Sequence, residues 1–364
     1  MSLFPRPRFD ILDGLRGIAA IAVMFYHYTQ HNGLRWLPGA WVAVDLFFIL
    51  SGFVIAHSYG AKLLKGMHFK QFLLIRLVRL GPLYYFGLFL GIFSALLSLY
   101  AHPDSKSSIE QIATMAALNM AWLPYFSELP WPLAAQVGKE PVFPLNDPAW
   151  SLFFEAFVNI VFFVFVYKYH KVFSIKLIIP AAAVFVMSTI IMKHGNQGWG
   201  AHNFILGFPR VLAEFFAGVG IYQYSLQRKA PPATLVWVTI AAAMLCLFID
   251  NDKVAFVNSI TLLPLTVFLA ATLTAQGKLK ALCTFLGHLS YPLYVIHMPV
   301  ERLLLQLPQV RLLDPAGQTF TIAAVSIFCA VLLIGIDEQL RNYLTARWLK
   351  TSSDVKTAAS PVAS

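Results

Sequence analysis

The sequence predicts an all-α integral membrane protein, a polytopic bundle of about ten transmembrane helices. Three observations carry that prediction. The 364 residues are 58% hydrophobic and 12% charged, with a mean hydropathy of +0.67, against about 25% charge in soluble domains. Ten apolar runs of roughly twenty residues each match the thickness of a bilayer core. Lysine and arginine alternate between the loops, as the positive-inside rule requires.

The expected spans are 11–31, 39–61, 82–101, 146–167, 174–193, 202–225, 233–250, 255–275, 283–301 and 318–341. With the N-terminus inside, the loops on that side hold 18 Lys and Arg and the opposite loops hold 7. That split supports an even span number, both termini cytoplasmic, and a multi-pass membrane protein. The net charge of +10 is therefore read as membrane topology and contact with lipid, with no nucleic-acid partner. Pro5, Arg6, Pro7 and Arg8 lead directly into the first span, without a cleavable signal. Cys246, Cys283 and Cys329 are isolated and show neither disulfide nor zinc spacing. Residues 1–350 form one membrane domain, and 351–364, rich in Ser, Ala and Thr, form a disordered cytoplasmic tail.

Two connections stand out. Residues 66–80 are amphipathic and basic and are expected along the cytoplasmic interface. Residues 102–145 form the longest outer loop and are rich in Pro and Trp. They are expected to fold back against the bundle or cap a cavity.

The first span organises the chemistry, because it carries Asp13, Arg16 and His27 within lipid. Such groups face a polar interior and do chemistry or transport. Arg16 and His27 are eleven residues apart, about three turns and 16 Å along one face. Imidazole suits proton transfer near neutral pH. His31 at i+4 also allows a metal pair, but no further ligands gather in the sequence and no metal is expected. Asp45 is a lone acid in the second span, expected to meet a cation or a hydroxyl ligand. Ser51 and Gly52 allow close helix packing. Arg76 and Arg79 lie one turn apart at the cytoplasmic face and suit phosphates or anionic headgroups equally. Trp150 fits an interfacial belt. Ser151 and Glu155 share a face, and Glu155 is expected at the depth of His27. Arg210 and Glu214 are placed for an internal i,i+4 ion pair. His288 and His297 lie near opposite ends of the ninth span.

Five of these segments, in order, resemble acyltransferase family 3. They are Arg16 with His27, Asp45-Leu-Phe-Phe-Ile-Leu-Ser-Gly-Phe53, Arg76-x-x-Arg79-x-x-Pro82-x-Tyr84, Trp150-Ser-Leu-x-x-Glu155, and Ser290-Tyr-Pro-Leu-Tyr-Val-Ile-His297. The family includes the O-antigen and exopolysaccharide O-acetylases, and the likeness runs from about residue 9 to 345. It implies a ten-helix core that moves an acyl group, commonly acetyl from cytoplasmic acetyl-CoA, onto a carbohydrate hydroxyl at the outer face. Arg16 and His27 match the family's characteristic pair. Ala156 stands where the family often has an aromatic residue.

On this reading His27 is the general base, with Glu155 or Asp13 orienting the imidazole or the acceptor. Arg16, Arg76, Arg79 and Tyr84 are expected to hold acyl-CoA, and Asp45, Trp150, Ser151 and His297 the carbohydrate acceptor. A covalent acyl-enzyme ranks second, because no Cys or Ser is clearly paired with His27. The competing class is a secondary transporter or an acyl-group carrier within a polysaccharide assembly system. Intramembrane charges fit that class too, but no paired broken helices are found.

Overall fold

The computed structural model describes residues 9–101, 108–126, 140–225 and 231–348. Within them the fold is helical. The helices are α1 (Asp10–His31), α2 (Ala43–Leu64), α3 (Phe69–Ala101), α4 (Ile109–Met120), α5 (Ala149–Tyr169), α6 (Ile175–Met192) and α7 (Gly207–Ser225). They continue with α8 (Ala233–Leu245), α9 (Asp252–Val257), α10 (Leu263–Ala270), α11 (Gly277–Leu304), α12 (Pro308–Arg311) and α13 (Pro315–Trp348).

Each of the ten expected spans is helical. Among the described residues eight helical stretches are long and apolar enough to cross a membrane. Polar α1 and the short α8 complete the ten. Four spans carry local irregularity. Short 3-10 turns precede α2 and α7 and another follows α8, and a π-helix at Asn258–Leu262 joins α9 to α10 into one stretch.

Two expectations about the connections change. Residues 66–80 do not form a separate interfacial segment, because from Phe69 they are the first half of a 33-residue helix. Pro82 sits inside that helix and removes one backbone donor. The chain holds its course because neighbours grip it: Phe72 meets the rings of Tyr59 and Phe163, and the Tyr291 hydroxyl donates to the Leu80 carbonyl. Arg76 is thereby buried in the bundle, not spread on a surface.

The long 102–145 connection contains a helix that the sequence reading missed. Ser108 and Gln111 cap α4 reciprocally, a pattern readable as Ser-x-x-Gln. The described part does fold back against the bundle. Trp122 stacks on Tyr84 at 4.2 Å, and the Tyr84 hydroxyl donates to Asn119 O at 2.5 Å. Val142, Phe143 and Leu145 are buried in the core. The basic loop residues Arg6, Arg8, Lys106, Lys139, Arg228, Lys229, Lys350 and Lys356 lie outside the described residues, as does the 351–364 tail.

Small residues set the helix register that positions the site. A Cβ on Gly52 of α2 would lie 1.9 Å from the Phe215 carbonyl oxygen, and one on Gly218 of α7 would lie 1.9 Å from that of Ile49. The two backbones therefore touch, as small residues permit in membrane bundles. On the other side α1 and α11 run parallel. Gly17 abuts Leu286, Arg16 meets Ser290, His27 meets His297 and His31 meets Glu301. The end of the bundle where α1 begins and α13 closes is called the base below, and the other the far end.

Candidate active site

A cavity of about 400 Å³ lies in the base half, between α1, α2, α3, α5, α11 and α13. Its rim carries exposed His288 and the part-exposed Arg79 and Arg341. Its walls carry Asp13, Arg16, Ser51, Arg76 and Glu155, and its far end is formed by Phe47, Ser151 and Tyr294.

The wall is built from three hydrogen-bonded groups. Arg16 donates Nε to Ser290 Oγ at 3.0 Å and Nη2 to the Gly287 carbonyl at 2.9 Å, with Asp13 Oδ1 3.2 Å away. Arg76 Nη2 meets Glu155 Oε1 at 2.6 Å, and Ser51 Oγ donates to the same oxygen at 3.1 Å. Among the described residues the buried Arg76 Nε has no hydrogen-bond partner. Ser151 Oγ and the Tyr294 hydroxyl are 2.7 Å apart, which closes the far end.

His27 lies one helical turn beyond that closure. Its Nδ1 is 2.9 Å from His297 Nε2, and the two rings are within 10° of parallel. His297 Nδ1 faces the carbonyls of Tyr294 at 2.8 Å and Leu293 at 3.2 Å. Tyr28 braces the pair, donating to the His297 carbonyl at 2.9 Å while meeting Ser326 Oγ at 2.7 Å. One turn further out, His31 Nδ1 is 3.0 Å from both oxygens of buried Glu301. His27 itself is partly exposed. The Tyr294 and His297 rings are 6.0 Å apart, so a thin partition separates the cavity from the histidines.

Pro299 explains part of this local order. Lacking an N–H, it leaves the Val295 carbonyl without its helical donor, and Asn146 Nδ2 donates to that oxygen at 3.0 Å. Arg302 then donates to the Pro144 carbonyl and, at 2.8 Å, to both Asp147 oxygens. These bonds fix the start of α5 against α11 and so set Ser151 against Tyr294.

The structure redistributes several expected site residues. Glu155 does not share the level of His27. It follows Ser151 by one turn toward the base, which puts it about 10 Å from that level, paired with Arg76. Asp13 accompanies Arg16 near the base. Neither orients His27, and the group that touches its ring is His297. His297 is wholly buried with both ring nitrogens facing protein atoms, so it does not present itself to an acceptor.

Tyr84, expected on the donor side, holds the segment that follows α4. Asp45, expected to meet a cation or a hydroxyl ligand, meets a cation. It is sealed against Arg210, which donates Nε to its Oδ1 at 2.8 Å, and both side chains are fully buried. The expected Arg210–Glu214 pair is the looser contact, at 3.8 Å. Trp150 is not an interfacial belt residue, because it is buried with its ring 5.6 Å from the Arg210 guanidinium. Arg16, Arg76, Arg79 and Ser151 do line one cavity.

Sequence reasoning missed Tyr294, Asp337 and Arg341 as cavity residues and Glu301 as the partner of His31. It also missed the pairing of Asp45 with Arg210. One signal was available for that pair: Asp45 is the lone charged side chain of an apolar span, so it needs a cation from another helix.

A family model described as an acyltransferase domain matches residues 9–336. The chain is 38% identical over 164 residues to protein 2 in the picA locus of Rhizobium radiobacter, covering 44% of this chain and 84% of that one. It is 31% identical over 161 residues to the peptidoglycan O-acetyltransferase OatA of Listeria monocytogenes, covering 41% of this chain and 25% of that protein. No solved structure matches the chain.

Proposed function

We propose that this chain, which belongs to the acyltransferase family, moves an acetyl group from acetyl-CoA at the base of the bundle to a carbohydrate hydroxyl at the far end. The observation that carries the reading is the placement of an arginine-lined cavity directly beneath a paired histidine. The base is the cytoplasmic side, in keeping with the basic loops that share it, and the membrane is the bacterial inner membrane.

The cavity suits the donor by size and charge. Pockets of about 300–1,000 Å³ enclose most of a small ligand, so this one admits the pantetheine arm and leaves the nucleotide at the rim. There Arg79 and Arg341 supply charge-assisted donors for phosphate, with Arg76 in the wall behind them. Arg16 lines the path of the arm. The thioester stops against Phe47, Ser151 and Tyr294, and transfer requires these side chains to part.

His27 then takes the proton of the acceptor hydroxyl as the oxygen attacks the thioester carbonyl. The tetrahedral adduct collapses, the carbon–sulfur bond breaks, and His27 returns the proton to the leaving thiolate. No net proton is left on the enzyme. The acceptor is a lipid-linked or exported glycan reaching His27 from the far end, past His31. Direct transfer needs only positioning and one base, because a thioester is already activated.

The test is transfer of labelled acetyl from acetyl-CoA to glycan acceptors by the purified protein in lipid. Wild type should transfer, and His27→Ala should transfer nothing while unfolding at the wild-type temperature. Sustained turnover by that variant overturns the base role.

A further inference from the structure

We infer that His297 sets the tautomer of His27, acting as a positioning residue that leaves His27 Nε2 unprotonated and ready to accept a proton. The inference rests on the reading of His27 as the base.

The argument runs from atoms that cannot change role. Backbone carbonyls only accept hydrogen bonds. His297 Nδ1 faces two of them, at 2.8 and 3.2 Å, so that nitrogen carries a proton. His297 is 0% exposed, and among the described residues its ring bonds to no carboxylate: the rings around it are those of His27, Tyr28 and Tyr294. A second proton would make it a buried cation without a counter-charge, which is costly. Its Nε2 is therefore a lone pair.

That lone pair lies 2.9 Å from His27 Nδ1. Two lone pairs at that distance repel, so His27 Nδ1 carries the hydrogen and donates it. A neutral His27 then has its only free lone pair on Nε2. The ring nitrogens of a histidine are thus distinguished by the bond the other one makes. The near-parallel rings and the Tyr28 hydroxyl on the His297 carbonyl hold this arrangement in place. In a triad of serine, histidine and carboxylate the orienting group is an anion. Here it is a neutral imidazole, which fixes the proton's position without bringing a charge into the membrane.

Two measurements test the assignment. In wild-type protein labelled with 15N-histidine, the resonances lost in His27→Ala should show Nδ1 protonated and Nε2 bare. The reverse pattern overturns the inference and needs no further variant. In kinetics, His297→Phe keeps an aromatic ring but offers no acceptor, and kcat should fall about a hundredfold, the lower range of a general-base contribution, with KM for acetyl-CoA within twofold. His297→Gln presents a carbonyl oxygen to His27 Nδ1 and should recover most of that loss. Equal losses in both variants, tracking a lower unfolding temperature, would mean His297 is structural only. If His27→Ala is inactive but His297→Phe is fully active, this inference falls and the base role stands. If His27→Ala itself turns over, both fall.

Discussion

Arg210 and Arg76 are both buried arginines paired with a carboxylate, yet they occupy opposite situations. Every nitrogen of Arg210 has a partner. Its Nε reaches Asp45 at 2.8 Å, Nη1 reaches Asn196 Oδ1 at 3.2 Å and the Gln197 carbonyl at 2.7 Å, and Nη2 returns to Asp45. Trp41 and Trp150 cover its faces at 5.5 and 5.6 Å. Arg76 has Glu155 on one nitrogen and lines a cavity. A guanidinium with a partner on every nitrogen fastens helices together. One that lines empty space with a single carboxylate partner is equipped to take a ligand.

The comparison is broken most forcefully at Arg210. Arg210→Met leaves Asp45 buried without a counter-ion, and removing one partner of a buried pair costs about 3–5 kcal/mol. The expected result is a large drop in unfolding temperature and in the yield of folded protein. Arg210→Met combined with Asp45→Leu and Glu214→Leu removes all three buried charges, and replacing a whole buried ionic cluster by apolar groups is often close to neutral. The triple variant should therefore be more stable than the single one. A single variant with wild-type stability would show that the cluster holds nothing together.

Arg76→Met should behave differently. Glu155 is left without its cation, but its side chain is 21% exposed toward the cavity, so water can solvate it. The protein should fold, and the loss should appear in the donor. A hydrogen bond to a charged group contributes about 1.5–3 kcal/mol, so KM for acetyl-CoA should rise roughly tenfold to a hundredfold. Kinetics at saturating acceptor measure this, with thermal unfolding as the control. A collapse of stability equal to that of Arg210→Met would place Arg76 in the same class and remove it from the donor site.

The ease with which these parts could be read from the sequence divides along the same line. The ten spans were legible because a run of apolar residues long enough to cross a bilayer is a local property. So was the polar face of α1, since Asp13, Arg16 and His27 recur at helical spacing. The pairings were not. Asp45 with Arg210 and His27 with His297 are contacts between residues 165 and 270 positions apart. They depend on which helices touch and in what register, and that is decided by close approaches such as Gly52 on Phe215 and Gly17 on Leu286. The local i,i+4 rule favoured Arg210 with Glu214, and the contact between helices won. Depth also misled: counting from the start of each span put Glu155 level with His27, whereas α5 enters lower, where Asn146 binds the Val295 carbonyl.

The smallest expected effect is at the rim and sharpens the comparison from its weak end. Arg341 Nη2 lies 2.7 Å from Asp337 Oδ2, and its side chain is 33% exposed. Part of its charge is already answered and the rest is screened by solvent. Exposed ionic contacts are worth up to about 1 kcal/mol, so Arg341→Gln should raise KM for acetyl-CoA only a few fold. Because salt screens exposed charges and reaches buried ones far less, that small effect should fade between low and high ionic strength. The Arg76→Met effect should persist across the same range. Equal salt dependence in the two variants would mean that Arg76 meets the donor through water like a surface residue, and the distinction drawn from its burial would fail.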